Sequence, residues 1–175
     1  LDRENAKAIS EGICNLEKDY NNMTLYGVPV IVAINRFPSD TNAELSFILK
    51  WCKKHGIRAT INEGAIKGSE GAVDLAKLVK KTLDTEIPQF KPLIPIGPDK
   101  GWSIKDKIGF ICQNIYGAGN VEYTDLALKQ IKEYEKQKLN ELPICISKTP
   151  NSLTDDAKIL GAPTGFTVHI REVRL

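Results

Sequence analysis

The stretch VPVIVAINRFPSDTNAEL, residues 28–45, decides the fold. Pro29 to Ile34 is nearly all β-branched and apolar on both faces, as in a parallel strand covered on both sides. Thr41 and Glu44 form a T-x-x-E capping box, so a helix begins there. Leu45, Ile48, Leu49 and Cys52 make its inner face, and Gly56 ends it. Between strand and helix lies Asn35-Arg36-Phe37-Pro38-Ser39-Asp40. Pro38 fixes its own φ and pushes Phe37 toward an extended conformation. A ring held that way at a strand end can project over a neighbouring cleft and serve as a platform for a flat ligand. Asn35 beside it can both donate and accept. The residues alone leave a second reading open, in which Phe37 packs onto the next helix and Asn35 makes a turn.

Working outward, Ala6, Ile9, Ile13, Leu16 and Tyr20 fall on one helical face, and Gly27 stops that helix. Downstream, Ile57 to Ile61 reads as a second short strand and Asn62 to Glu70 as a loop with Gly64 and Gly68. A helix follows through about Leu83, with Leu75, Ala76, Val79 and Leu83 facing inward. The second loop carries Lys67 and Glu70 among glycines, as ligand contacts or as the acidic first turn of the next helix. The alternation of strands and helices predicts an α/β fold, a parallel sheet flanked by helices. Both loops leave the carboxyl ends of strands, where open α/β sheets place ligands.

Three parts are expected: a strand-helix-strand-helix unit over residues 1–87, a connector over 88–102, and a helical pair with C-terminal strands over 103–175. The connector region holds Pro88, Pro92, Pro95, Pro98, Gly97 and Gly101. Ser103 caps a helix whose Ile104, Ile108, Ile111, Cys112 and Ile115 share a face, broken by Gly117 and Gly119. Thr124 to Leu139 reads as a lysine-rich helix with Ala127, Leu128, Ile131 and Tyr134 inside. Leu142 to Ser147 reads as a strand, and Phe166, Val168 and Ile170 alternate with Thr167, His169 and Arg171 as a half-buried one.

A chain of 175 residues can bury roughly 70% of the surface its unfolded form exposes, with no disulfide or metal needed for a core. The 42% hydrophobic and 26% charged content is that of an ordinary soluble protein. A net charge of +2 argues for no nucleic-acid surface, and the apolar run Val30–Ile34 is far short of a membrane span. Cys14, Cys52, Cys112 and Cys145 are widely spaced in apolar stretches, which predicts reduced core thiols and a cytoplasmic location. Neither they nor the isolated His55 and His169 have zinc-ligand spacing. There is no G-x-x-x-x-G-K-[ST], no G-x-G-x-x-G after a strand and no order of Ser, His and acid that suggests a triad. Leu1 is not an initiator methionine, and a segment of a longer polypeptide is expected.

Val28 to Thr41 resembles the signature stretch of the formate–tetrahydrofolate ligases. So do Lys67-Gly68-Ser69-Glu70-Gly71, a version of that family's K-G-G-E-G, and Ser103 to Ile108, Ile115 to Ala118 and Leu142 to Cys145. So, too, do Lys148-Thr149 with Ser152 and Asp155-Asp156, and Gly161-Ala162-Pro163 leading to Phe166 and Arg171 to Arg174. They occur in the family's order and cover essentially the whole chain from Gly27. The resemblance implies an enzyme that joins formate to tetrahydrofolate through formyl phosphate, using ATP with Mg2+ and accommodating a monovalent cation. It implies a homotetramer acting on small molecules, with no nucleic-acid or membrane partner. It also implies that the phosphate-binding loop lies upstream, so that this segment alone is inactive.

By the same resemblance Phe37, with Pro38 beside it, stacks on the folate pterin. The opposing wall is a tryptophan in the family and Ala65 here. Asn35, Asp40, Lys67 and Glu70 are candidates for polar contacts, and no catalytic residue is assigned. Two other readings stand beside the ligase. One is a nucleotide-binding module, by fold analogy from Asn35 and Asp40. The other is a non-catalytic scaffold, suggested by Ala65.

Overall fold

Residues 4–94 and 101–175 are described by a computed structural model. The chain divides into two units, Leu1–Lys91 and Pro92–Leu175. Pro95, Gly97 and Pro98 of the expected connector lie outside the described residues.

The first unit runs α1 (Ala6–Thr24), β1 (Ile31–Asn35), α2 (Asn42–Lys54), β2 (Arg58–Asn62), α3 (Gly64–Lys67), a 3-10 turn (Gly68–Ala72) and α4 (Val73–Thr85). β1 and β2 are parallel, in register from Ile31↔Arg58 to Asn35↔Asn62. Ile34, Leu45, Cys52 and Ile57 are buried. The expected capping box forms: Thr41 Oγ1 accepts from Glu44 N at 3.2 Å, and Glu44 Oε2 accepts from Thr41 N at 3.1 Å. Glu44 Oε1 also accepts from Asn5 N at 2.9 Å, at the start of α1. The Asn5 and Thr41 backbone donors hold this carboxyl below its usual range. At the other end of α2, Gly56 takes φ +70 and Ile57 N returns to Cys52 O at 2.8 Å, so β2 starts directly from the helix terminus.

Three expectations for this unit need correction. β1 is not covered on both faces, since Ala33 is exposed. Asn62–Glu70 is not an irregular loop but α3 followed by the 3-10 turn. On α4 the inward stripe is half-buried Leu75 and Leu78 with Thr82, which is 4% exposed, while Ala76, Val79 and Leu83 face out. Both stripes satisfy the helical period, and the buried one ends on a polar residue that hydropathy discounts.

The second unit runs α5 (Ile104–Phe110), a π-helical turn (Ile111–Tyr116), β3 (Asn120–Tyr123), α6 (Asp125–Lys136), a 3-10 turn (Leu139–Glu141) and β4 (Thr167–Ile170). β3 and β4 are parallel, from Asn120↔Thr167 to Tyr123↔Ile170. Ile104, Ile108, Cys112, Ala118, Ile131 and Val168 form the core. Ser103 and Asp106 cap α5 reciprocally, as Thr41 and Glu44 cap α2. Gly119 is indispensable to the ladder, because a Cβ there would lie 2.9 Å from Gly165 O.

Leu142–Ser147, expected as a strand, has no regular structure, and the strand beside β4 is β3. Val121 and Tyr123 alternate with Asn120 and Glu122, too short a run to stand out between two glycines and a helix cap. Leu128 faces out on α6. Of the four cysteines only Cys52 and Cys112 are buried; Cys14 is half-buried and Cys145 exposed. Burial pushes the Cys112 thiol up to about 11. The architecture is thus α/β with two small parallel sheets flanked by helices. No helix among the described residues is long and apolar enough to cross a membrane.

Candidate functional site

The register of the first sheet sets the site. Asn35 and Asn62 are the last residues of β1 and β2 and pair directly. Their following segments therefore start level, about 5 Å apart, the spacing of hydrogen-bonded strands. The Phe37 turn leaves one strand, and α3 with the 3-10 turn leaves the other.

The amide pair has a forced orientation. Asn62 Oδ1 accepts from Gly64 N at 3.1 Å, so its Nδ2 must be the group that donates to Asn35 Oδ1 at 2.9 Å. The acceptor of Asn35 is thereby engaged, and its Nδ2 donor belongs to a residue that is exposed. Arg36 N continues the ladder to Asn62 O at 3.0 Å.

Phe37 is 60% exposed, an unusual position for a ring. Asp40 holds the backbone under it: Oδ2 accepts from Phe37 N at 2.8 Å, and Asp40 N donates to Phe37 O at 3.0 Å. With Pro38 restricting the same turn, the ring is placed by backbone rather than by side-chain packing. Asp40 is therefore a turn residue here.

On the second segment Ala65 and Ile66 are exposed on α3. Lys67 Nζ donates to Glu63 Oε2 at 2.6 Å, one helical turn back. Glu63 Oε1 accepts from Arg36 Nη1 at 3.4 Å, while Arg36 Nη2 donates to Asn42 Oδ1 at 2.9 Å. The Lys67 hydrogen bond, with Arg36 adding to it, holds the Glu63 carboxyl below its usual range. Glu63 N donates to Gly71 O at 3.0 Å, and a Cβ on Gly71 would lie 2.5 Å from both C and O of Glu63. Gly71 thus permits the 3-10 turn to close on α3. Glu70 is exposed and makes no side-chain hydrogen bond or ion pair among the described residues.

Of the residues singled out from sequence, then, Asn35, Phe37, Ala65 and Glu70 lie on exposed faces of these two segments, with Pro38 and Asp40 in the turn and Lys67 tied to Glu63. Sequence reasoning passed over Arg36, Asn62 and Glu63, which join the segments. The E-x-x-x-K spacing from Glu63 to Lys67 is the signal that would have found one of them, had the stretch been read as helix.

The motifs of the second unit shape an irregular segment. Lys148 Nζ donates to Thr149 O at 2.9 Å and to Ser152 O, and lies 5.1 Å from the Tyr116 ring centroid. Burial lowers its pKa. Asp155 Oδ2 accepts from His169 N at 3.1 Å and His169 Nδ1 at 2.8 Å. Burial works to raise this carboxyl, but the His169 bonds outweigh it and the net displacement is downward.

What the first unit offers is an exposed aromatic ring just past β1, an exposed amide at the end of that strand and an exposed carboxylate on the 3-10 turn after α3. In comparison with known sequences, the model of the family described as formate--tetrahydrofolate ligase matches residues 1–175. The chain belongs to the formate–tetrahydrofolate ligase family.

Proposed function

We propose that this chain forms the folate side of an ATP-dependent ligase that joins formate to tetrahydrofolate through formyl phosphate. The observation that carries the reading is Phe37, a ring left 60% exposed at a strand end by a turn that Asp40 and Pro38 hold. In this reading the pterin lies flat on Phe37, beside Pro38 and against the α3 wall at Ala65. The Asn35 Nδ2 group donates to a pterin acceptor, and Glu70 accepts from its ring N–H or amino group. Asp40 and Lys67 act on the shape of the site, through the Phe37 turn and Glu63.

ATP binds with Mg2+. Among the described residues no three His, Cys, Asp or Glu side chains converge to hold an ion, so the Mg2+ is proposed to travel on the ATP phosphates. The phosphate-binding loop is proposed to come from elsewhere in the polypeptide, and the 175 residues alone are proposed not to turn over. A homotetramer in the cytoplasm fits the family.

The test is Phe37→Ala in the full-length enzyme, with initial rates measured against each substrate. Loss of stacking, about 0.5–1.5 kcal/mol beyond the lost area, raises the KM for tetrahydrofolate roughly tenfold. The KM values for ATP and formate stay put. An unchanged tetrahydrofolate KM would overturn the placement.

A further inference from the structure

We propose that Glu63 is a positioning residue for tetrahydrofolate: it locks the Phe37 turn to α3, so the ligand meets a wall already assembled. This rests on the placement of folate given above.

Each segment of the site has its own internal tie, Asp40 to Phe37 on one side and Glu63 to Gly71 on the other. Beyond the last ladder bonds and the Asn35–Asn62 amide pair, Arg36 and Glu63 link the two segments side chain to side chain. Arg36 is the residue immediately before the ring. Its guanidinium is held at one end by Glu63 and at the other by Asn42, on the first turn of α2. Glu63 stands two residues before Ala65, is only 23% exposed at its side chain, and serves two cations at once. Its backbone is fixed by the Gly71 contact.

An isolated exposed ion pair is worth little, because ordering two long side chains offsets the attraction. Here one ordered carboxylate serves both cations. Replacing it with a neutral amide removes the charge that holds both cations and leaves one acceptor oxygen for two donors, which loosens the tie between the segments.

The experiment uses the full-length enzyme with Glu63→Gln, Arg36→Met and the double variant. Rates are measured against all three substrates, and amide hydrogen exchange is followed over residues 36–41 and 63–71. The expected result is a rise of about three- to tenfold in tetrahydrofolate KM for each single variant, and no further rise in the double, as for residues in one network. Values of kcat and of KM for ATP and formate change little, and exchange speeds up in both segments together. A merely structural role would lower kcat and shift every KM.

If Glu63→Gln leaves exchange in residues 36–41 unchanged, the lock does not exist and the proposal is overturned. If exchange rises in both segments but tetrahydrofolate KM does not, Phe37→Ala distinguishes the failures. A raised KM in Phe37→Ala sinks the role of Glu63 alone, and an unchanged one sinks the folate placement and this proposal with it.

Discussion

Lys107→Met should destabilise the second unit by a calculable amount. Lys107 sits on α5 between Ile104 and Ile108 and is 2% exposed. Its ammonium donates to Asn140 O at 2.5 Å and to Leu142 O at 2.8 Å, fastening the 3-10 turn after α6 back onto α5. Methionine keeps most of the apolar stem and fills the space, so the cavity term is small. Removing the charge also removes its desolvation cost, which works in favour of the variant. Against this, two hydrogen bonds from a charged donor are lost, each contributing about 1.5–3 kcal/mol when fully buried. Both bonds are only part-buried, with Asn140 half-buried and Leu142 44% exposed, so the lower part of that range applies. Two bonds at that end come to about 3 kcal/mol, the relieved desolvation offsets about 1, and the net loss is about 2 kcal/mol. With an m-value of about 1 kcal/mol/M, the urea midpoint falls by roughly 2 M. Trp102 packs on Phe110 of α5 at 5.5 Å between centroids and reports this unit by fluorescence, in a Trp51→Phe background that silences the first unit. A midpoint within about 0.3 M of the parent would refute the reasoning.

Gly71→Ala places a methyl 2.5 Å from the Glu63 carbonyl and 2.9 Å from Gly64 N, all backbone. The 3-10 turn must move off α3, at a cost of about 1–3 kcal/mol. The urea midpoint seen by Trp51 should drop and the tetrahydrofolate KM rise; if neither moves, the close approach is not real. Acid should weaken α5 through Asp106, whose carboxyl is lowered by the Ser103 side chain and then its backbone N–H. A depressed folded pKa means that the contribution is complete above the unfolded value, near pH 4, and disappears as pH falls through the lowered folded value. Asp106→Asn should therefore flatten the fall of the Trp102 midpoint between about pH 5 and 3, and an undiminished fall would count against this cap.

Legibility followed locality. The capping boxes at Thr41 and Ser103 and the αL stops at Gly56 and Gly117 are set by a few neighbouring residues. Each could be read from spacing. What failed depends on partners distant in sequence. Leu142–Ser147 has strand-like composition, yet β4 pairs with β3, forty-seven residues earlier in register. Composition cannot say which of two apolar runs a strand will join. The burial of Lys107 was illegible for the same reason, since its acceptors lie at positions 140 and 142. On α4 two stripes compete within the helical period, and only the packing surface selects the one ending on Thr82.

The site itself divides along this line. Phe37, Pro38 and Asp40 make a turn whose logic is contained in six residues, so the sequence exposed it. The join to α3 is a tertiary fact: Arg36 and Glu63 are 27 residues apart and meet because Asn35 and Asn62 end their strands in the same register. A slip of one residue would turn every side chain of one strand to the other face. It would expose Ile34, now 8% accessible, and break the amide pair that aims the Asn35 donor. The buried positions of β1 and β2 thus fix where the polar residues beyond them can meet. The two stretches around Phe37 and Lys67 are therefore better understood as one device than as two motifs. Its geometry is set by the core beneath it, and its rim carries a ring, an amide and a carboxylate, the groups that the proposed folate placement uses.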